Sequence, residues 1–282
     1  MVAAPIGLKQ VTMRSIPDSF DQAIVAAIDS RLDSIERDDQ VVIPLAIESG
    51  SRAWDFASPD SDYDCRFLFI RRRQEYLTLW PKRDVIETPL EGLLDANGWD
   101  VAKALRLIVK GNAVVIEWLR SPIVYRGDAG FRDALAAFAD TYAPLPLVRR
   151  HYLNLGVQQW KRATDLDGIA IKRLFYILRP AAALRWMRVH PGAAPPMHFP
   201  TLIAECDASP KVRAIVADLI ARKAETRELG RAPMPAEIAV FAQAEFAIAA
   251  AEEKVAADHQ SHEAADAMFL DLLDRFGPDR YT

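Results

Sequence analysis

Residues 48–70 read ESGSRAWDFASPDSDYDCRFLFI, and their reading decides the architecture of the first half of the chain. Just upstream, VVIPLAIE over 41–48 is rich in β-branched residues and leads to a glycine, which predicts a strand entering a turn. Pro44 within it points to a sheet edge or a bulge. Ser58, Pro59, Asp60 and Ser61 supply turn chemistry, after which DCRFLFI resumes an extended pattern, so a second strand is expected from near Asp62. Alternation along it puts Asp62, Asp64, Arg66 and Leu68 on one face and Tyr63, Cys65, Phe67 and Phe69 on the other.

Two carboxylates side by side repel unless a cation lies between them, and hard oxygen ligands of this kind suit magnesium. An Asp-x-Asp is also what a polar turn looks like. The Gly50–Ser51 turn eleven residues before Asp62 separates the two readings. Glycine lets backbone approach a phosphate closely, and the serine hydroxyl adds a donor. Arg52 and Arg66 lie near enough to pair with phosphate or with the aspartates.

Working outward, Phe20, Ile24, Ile28, Leu32 and Ile35 recur at three- and four-residue steps, predicting a helix capped by Asp18 or Ser19. VIETPLEG and LLDANGW read as short extended segments, followed by a helix from Val101 that Gly111 closes. Past Tyr125 strands give way to helical periodicity, with helices expected over 129–142, 146–163 and 170–190, the last broken at Pro180, and more across 209–275. HPGAAPPMHFP reads as a loop. The expected fold is α/β followed by α: residues 1–126 around a small mixed sheet, and a helical domain over 127–282 forming the other wall of a cleft.

With 282 residues, 51% of them apolar, the chain can bury a full core. A net charge of -4 offers no global attraction for nucleic acid or an anionic membrane, so any polyanion must meet a local patch. Cys65 and Cys206 have no metal-ligand spacing and make no disulfide framework, and no apolar run is long enough to span a bilayer, which together suggest a cytoplasmic protein.

ESGSRAW followed by ASPDSDYD is similar to the motif of a bacterial nucleotidyltransferase family of the DNA polymerase beta superfamily, described as RNA-repair-pathway proteins. The likeness continues through LLDANGWDVAKALRLIVKGNAVVIEWLRSPIVY and, more faintly, KRLFYILRPAAALRW. The resemblance implies a Gly–Ser turn for a nucleoside triphosphate, an Asp-x-Asp pair for two magnesium (or manganese) ions, and a third carboxylate on a neighbouring strand. Carried over, these are Gly50, Ser51, Asp62 and Asp64, with Asp95 preferred as the third over Asp100, which precedes a helix and suits a cap. The implied activity is nucleotidyl transfer to a hydroxyl of an RNA end, a protein or a small molecule. The alternative is a nucleotide-binding regulatory or antitoxin-like protein without turnover. It rests on Asp55, where the family usually has glycine; Ala113 likewise replaces a usual proline.

Among other residues, Arg71, Arg72 and Arg73 read as a solvated strand edge, and Lys172, Arg173 and Arg179 as charge presented to nucleotide or as an exposed helix face. Trp54 and Phe56 read as packing under the turn, Trp99 and Trp118 as core, and His259 and His262 as surface residues.

Overall fold

The computed structural model describes residues 12–163, 168–225, 230–253 and 260–281. Strand β1 (Thr12–Ser15) precedes helix α1 (Gln22–Asp39), strand β2 (Val42–Glu48), the single turn α2 (Gly50–Ala53) and strand β3 (Tyr63–Ile70). A short α3 (Arg73–Tyr76) leads to β4 (Val85–Glu87), β5 (Leu94–Asp100), α4 (Val101–Val109), α5 (Ala113–Leu119) and β6 (Val124–Asp128). Next come α6 (Ala129–Tyr142), α7 (Leu145–Arg162), the two-residue β7 (Ile169–Ala170), α8 (Ile171–Val189), α9 (Phe199–Glu205) and α10 (Pro210–Glu225). The two-residue β8 (Arg231–Ala232), α11 (Ala236–Ala250), α12 (Gln260–Phe276) and a 3-10 turn (Pro278–Tyr281) complete the described residues.

Six strands form a mixed sheet in the order β1-β6-β2-β3-β5-β4. β2 runs antiparallel to β3, pairing Ala46 with Phe67, and β3 runs parallel to β5, pairing Asp64 with Asp95. The end of β2 and the starts of β3 and β5 therefore meet at one end of the sheet. The sheet is covered on both faces, as parallel pairing requires. Tyr63, Cys65, Phe67 and Phe69 pack under α1 with Ile28 and Leu32, while Leu68 and Ile70 join a larger cluster that runs through α4 to α8 and on to Phe276. Asp64 and Arg66 lie on that second face, beneath the helices.

The sequence reading shifts at several points. α1 is capped by Asp21, whose side chain accepts from the Ala23 N–H, rather than by Asp18 or Ser19. β3 begins at Tyr63, leaving Asp62 in the turn before it. β2 is central, and the register slips between Val42 and Leu45, so Pro44 marks a bulge and not an edge. α8 continues through Pro180, with no break there. An interior proline costs about 3 kcal/mol, but Leu178, Ala181, Ala182 and Leu184 around it are buried, and Gly156 of α7 leaves room for its ring. A helix, α9, starts within the proline-rich segment, at Phe199. The β7–β8 ribbon was not expected among the helices; it is too short for any periodicity to announce. Ala113 occupies the first position of α5, where proline is favoured, and Asn112 caps that helix. Among the described residues no helix is long and apolar enough to cross a membrane.

Candidate functional site

The site begins where β2 ends. Gly50 opens α2 with φ +60°, a left-handed conformation that side chains resist, and a Cβ there would lie 1.9 Å from Asp64 Oδ2. Glycine is thus required both by the turn and by the carboxylate packed against it. The Ser49 N–H donates to the Asp64 carbonyl at 2.9 Å, tying the turn to β3. Ser51 faces a cleft of about 390 Å³ that it shares with Asp60, Asp62, Asp64, Lys172, Tyr176 and Lys223.

Asp62 is exposed and Asp64 half-buried at the mouth of β3. The parallel register sets Asp95 beside Asp64, and the Arg66 guanidinium bridges them at 2.9 Å to Asp64 and 2.7 Å to Asp95. Asn97 donates to the other Asp95 oxygen at 2.6 Å. Burial raises the Asp64 pKa, with further push from Asp95 and Asp62 that Arg66 and Lys172 oppose. A cation would relieve this crowding, and Arg66 already stands in for one between two of the carboxylates. Among the described residues no group of three or more His, Cys, Asp or Glu forms a ready metal cage. Two neighbouring aspartates open to a cleft remain a donor set that suits magnesium completed by substrate phosphate.

Asp100 is not part of this group. Its carboxylate caps α4 at the Ala102 N–H, accepts from the Tyr76 hydroxyl, and is buried. Arg52 turns away from the cleft: it donates to the carbonyls of Ser61 and Asp62 at 2.6 and 3.1 Å and lies 3.8 Å over the Tyr63 ring. Its role here is to hold the turn that carries Asp62. Asp55 has φ +62°, and its carboxylate meets His198 Nε2 at 3.1 Å beside a separate hollow. The glycine that the resemblance implies here would match that backbone, and Asp is one of the few side chains that tolerates it.

The helices supply the opposite wall. Lys172 and Tyr176 come from α8 and Lys223 from α10. Lys223 is buried, lies 4.6 Å over the Phe56 ring, and is lowered to about 8 by burial and by Lys172, with Asp60 opposing. Sequence reasoning named Lys172 and missed Lys223. The signal was present, since Val212, Val216, Leu219 and Lys223 follow one buried stripe and a lysine there breaks the apolar pattern. Glu48 was also missed. It sits buried behind the site, accepts from the Asp64 N–H at 2.9 Å, takes a hydrogen bond from Tyr125, and is pushed up to about 8 by burial.

A second hollow of about 420 Å³ shares only Asp64 and Tyr176 with the cleft. Arg179 lies there, buried and paired with Glu117 at 2.7 Å under the Trp54 ring, so it is neither an exposed face nor a free phosphate ligand. Trp99 is only half-buried and lines this hollow, stacked on the buried Trp118. Phe56 packs under the turn against Phe175, as expected. Arg71 is buried and donates to the Arg83 carbonyl, and Arg73 pairs with Asp274, leaving only Arg72 as a plain solvated residue of the three. Arg173 donates to the Arg162 carbonyl. His262 is exposed; His259 lies outside the described residues.

A family model described as the RNA repair pathway DNA polymerase beta family, RlaP, matches residues 24–271. The uncharacterized protein YcgL of Bacillus subtilis (strain 168) is 40% identical over 199 residues, covering 70% of this chain and 76% of its own length. Among solved structures, a nucleotidyltransferase-like protein from Exiguobacterium sibiricum 255-15 aligns over 90% of each chain at 11% identity and a TM-score of 0.32.

Proposed function

From the premise that this chain belongs to the RNA repair pathway DNA polymerase beta family, we propose that it transfers a nucleoside monophosphate from a nucleoside triphosphate to a hydroxyl acceptor. Pyrophosphate and a proton are released. The observation that carries this reading is the sheet register, which sets Asp95 beside Asp64 and next to the Gly50 turn, while Ser51, Asp62 and Asp64 face Lys172 and Lys223 across the cleft. Asp62, Asp64 and Asp95 would hold two magnesium ions. Bound there, the metal supplies neutralising charge to the reacting phosphate and lowers the pKa of a bound hydroxyl.

The chain's own groups then do the positioning. The Gly50–Ser51 turn brings backbone and hydroxyl against the triphosphate, while Lys172 and Lys223 neutralise its outer phosphates. Arg66 orients Asp64 and Asp95 and relieves their repulsion. Catalysis by position and charge needs no histidine or cysteine nucleophile. The non-catalytic alternative rested on Asp55, whose carboxylate faces His198 across a different hollow.

The test is incubation with each labelled nucleoside triphosphate, magnesium and pooled acceptors. Label should move to an acceptor with the native chain and not with Asp62→Asn or Asp64→Asn, whose circular dichroism should be unchanged. Full transfer by either variant would refute the metal-dependent reading.

A further inference from the structure

The cleft and the second hollow differ in chemistry although they meet at Asp64 and Tyr176. The cleft holds Ser51, Lys172 and Lys223, which suit phosphate, while Ser49 and Gly50 of the same turn line the second hollow and so mark the boundary between the two, beside Asp64. In phosphoryl transfer the attacking and leaving oxygens lie roughly in line on opposite sides of phosphorus. If the transferred phosphorus sits at Asp64, with pyrophosphate leaving into the cleft, the attacking hydroxyl arrives from the second hollow.

That hollow is walled by the rings of Trp54, Trp99, Trp118, Tyr152 and Tyr176. Its two cations are already committed: Arg179 to Glu117 at 2.7 Å, and Arg66 to Asp64 and Asp95. Two guanidinium groups and the carboxylates of Asp64 and Glu117 leave no surplus positive charge along its lining for a phosphodiester backbone. Flat aromatic walls instead favour a stacked, uncharged ring. At about 420 Å³, its volume falls within the roughly 300–1,000 Å³ usual for small-ligand sites.

We propose that this hollow is the acceptor site, and that the acceptor is an uncharged, nucleoside-sized compound whose flat ring stacks there and whose hydroxyl reaches Asp64. The inference rests on the transferase reading above. The acceptor oxygen bonds to the α-phosphorus, the bond from that phosphorus to the bridging oxygen breaks with its electron pair leaving on pyrophosphate, and the hydroxyl proton passes to water.

Calorimetry with the α,β-methylene analogues of ATP, GTP, CTP and UTP plus magnesium identifies a bound nucleotide. The loaded protein is then titrated with the four ribonucleosides and with short oligoribonucleotides. At least one ribonucleoside should bind, independently of salt between 50 and 200 mM. Trp99→Ala should weaken it by about fivefold or more, and Leu155→Trp, which fills the hollow from a half-buried position, should abolish it. Both variants should keep the analogue affinity.

The acceptor assignment is overturned if no ribonucleoside binds the loaded protein, or if Leu155→Trp binds it unchanged. It is also overturned if Leu155→Trp loses the analogue, which would put the nucleotide's own base in the hollow. Salt-sensitive oligoribonucleotide binding untouched by Leu155→Trp would place the acceptor on a charged surface instead. Failure of all four analogues to bind would overturn the transferase reading itself, and the acceptor site with it.

Discussion

The two walls of the cleft hold opposite charges in different ways. On the sheet wall, Asp62 and Asp64 line the cleft, Asp95 stands beside Asp64 behind that lining, and Arg66 pairs with Asp64 and Asp95. On the helical wall, neither Lys172 nor Lys223 lies within ion-pair distance of a carboxylate among the described residues, and Lys223 is also buried. Burying a charge without a partner costs folding free energy. Each wall thus presents charge of one sign to the cleft, and the proposed triphosphate with divalent metal would offer anion to one wall and cation to the other. The difference fits the proposed reading, in which one composite ligand, a triphosphate with its metal, would bridge both walls.

The sharpest way to break that picture is Gly50→Val. Its Cβ would strike Asp64 Oδ2, and the residue would be strained at φ +60°. Displacing the carboxylate by about 1 Å should lower transfer by roughly 100-fold or more, read as label incorporated per minute. Retained activity would mean that Asp64 does not hold the reacting centre.

Lys223→Met probes the other wall. Affinity for nucleoside triphosphate, measured by calorimetry at pH 7, should fall about tenfold, the size of one charge-assisted contact. With the free lysine at about 8, native affinity should weaken as pH rises from 7 to 9, while the variant stays flat over that range. Stability should move the other way. A lysine lowered from 10.5 to about 8 on folding binds fewer protons in the folded than in the unfolded chain between those values, so native stability rises with pH across that window. The variant should lack this rise and be the more stable protein at pH 7 by roughly 1–3 kcal/mol, seen in denaturant melts at pH 7 and pH 10. A native affinity that ignores pH would place the phosphates away from Lys223.

The smallest effect is expected of Asp55→Gly. Relief at φ +62° is offset by loss of the His198 contact and by a more flexible unfolded chain, so stability should change by less than about 1 kcal/mol. Because the carboxylate faces His198, nucleotide affinity should change by less than about twofold, well under the roughly 4 kcal/mol that a like charge at 4 Å from phosphate could impose. A tenfold gain in affinity would show that Asp55 suppresses binding after all.

What could be read from the amino-acid sequence alone was the mixed α/β half followed by helices, including those over 129–142, 146–163 and 170–190, and, at the site, about one strand and one turn. Gly50, Ser51 and Asp64 were legible because strand alternation and turn chemistry act over a few residues, and the combination is long enough to resemble one family. Asp95 was named only through the family resemblance, and tertiary structure decided how it and the remaining residues meet. Asp64 meets Asp95 through the parallel register of β3 and β5, while Lys223 reaches the cleft by the packing of α10, and Asp55 meets His198 across 143 positions of chain. Pro180 shows the same limit from the other side, since its local cost is overruled by the buried residues around it. Local preferences amount to a kilocalorie or a few per residue, whereas packing sums many contacts between segments far apart in the chain, and those contacts are written at both ends at once.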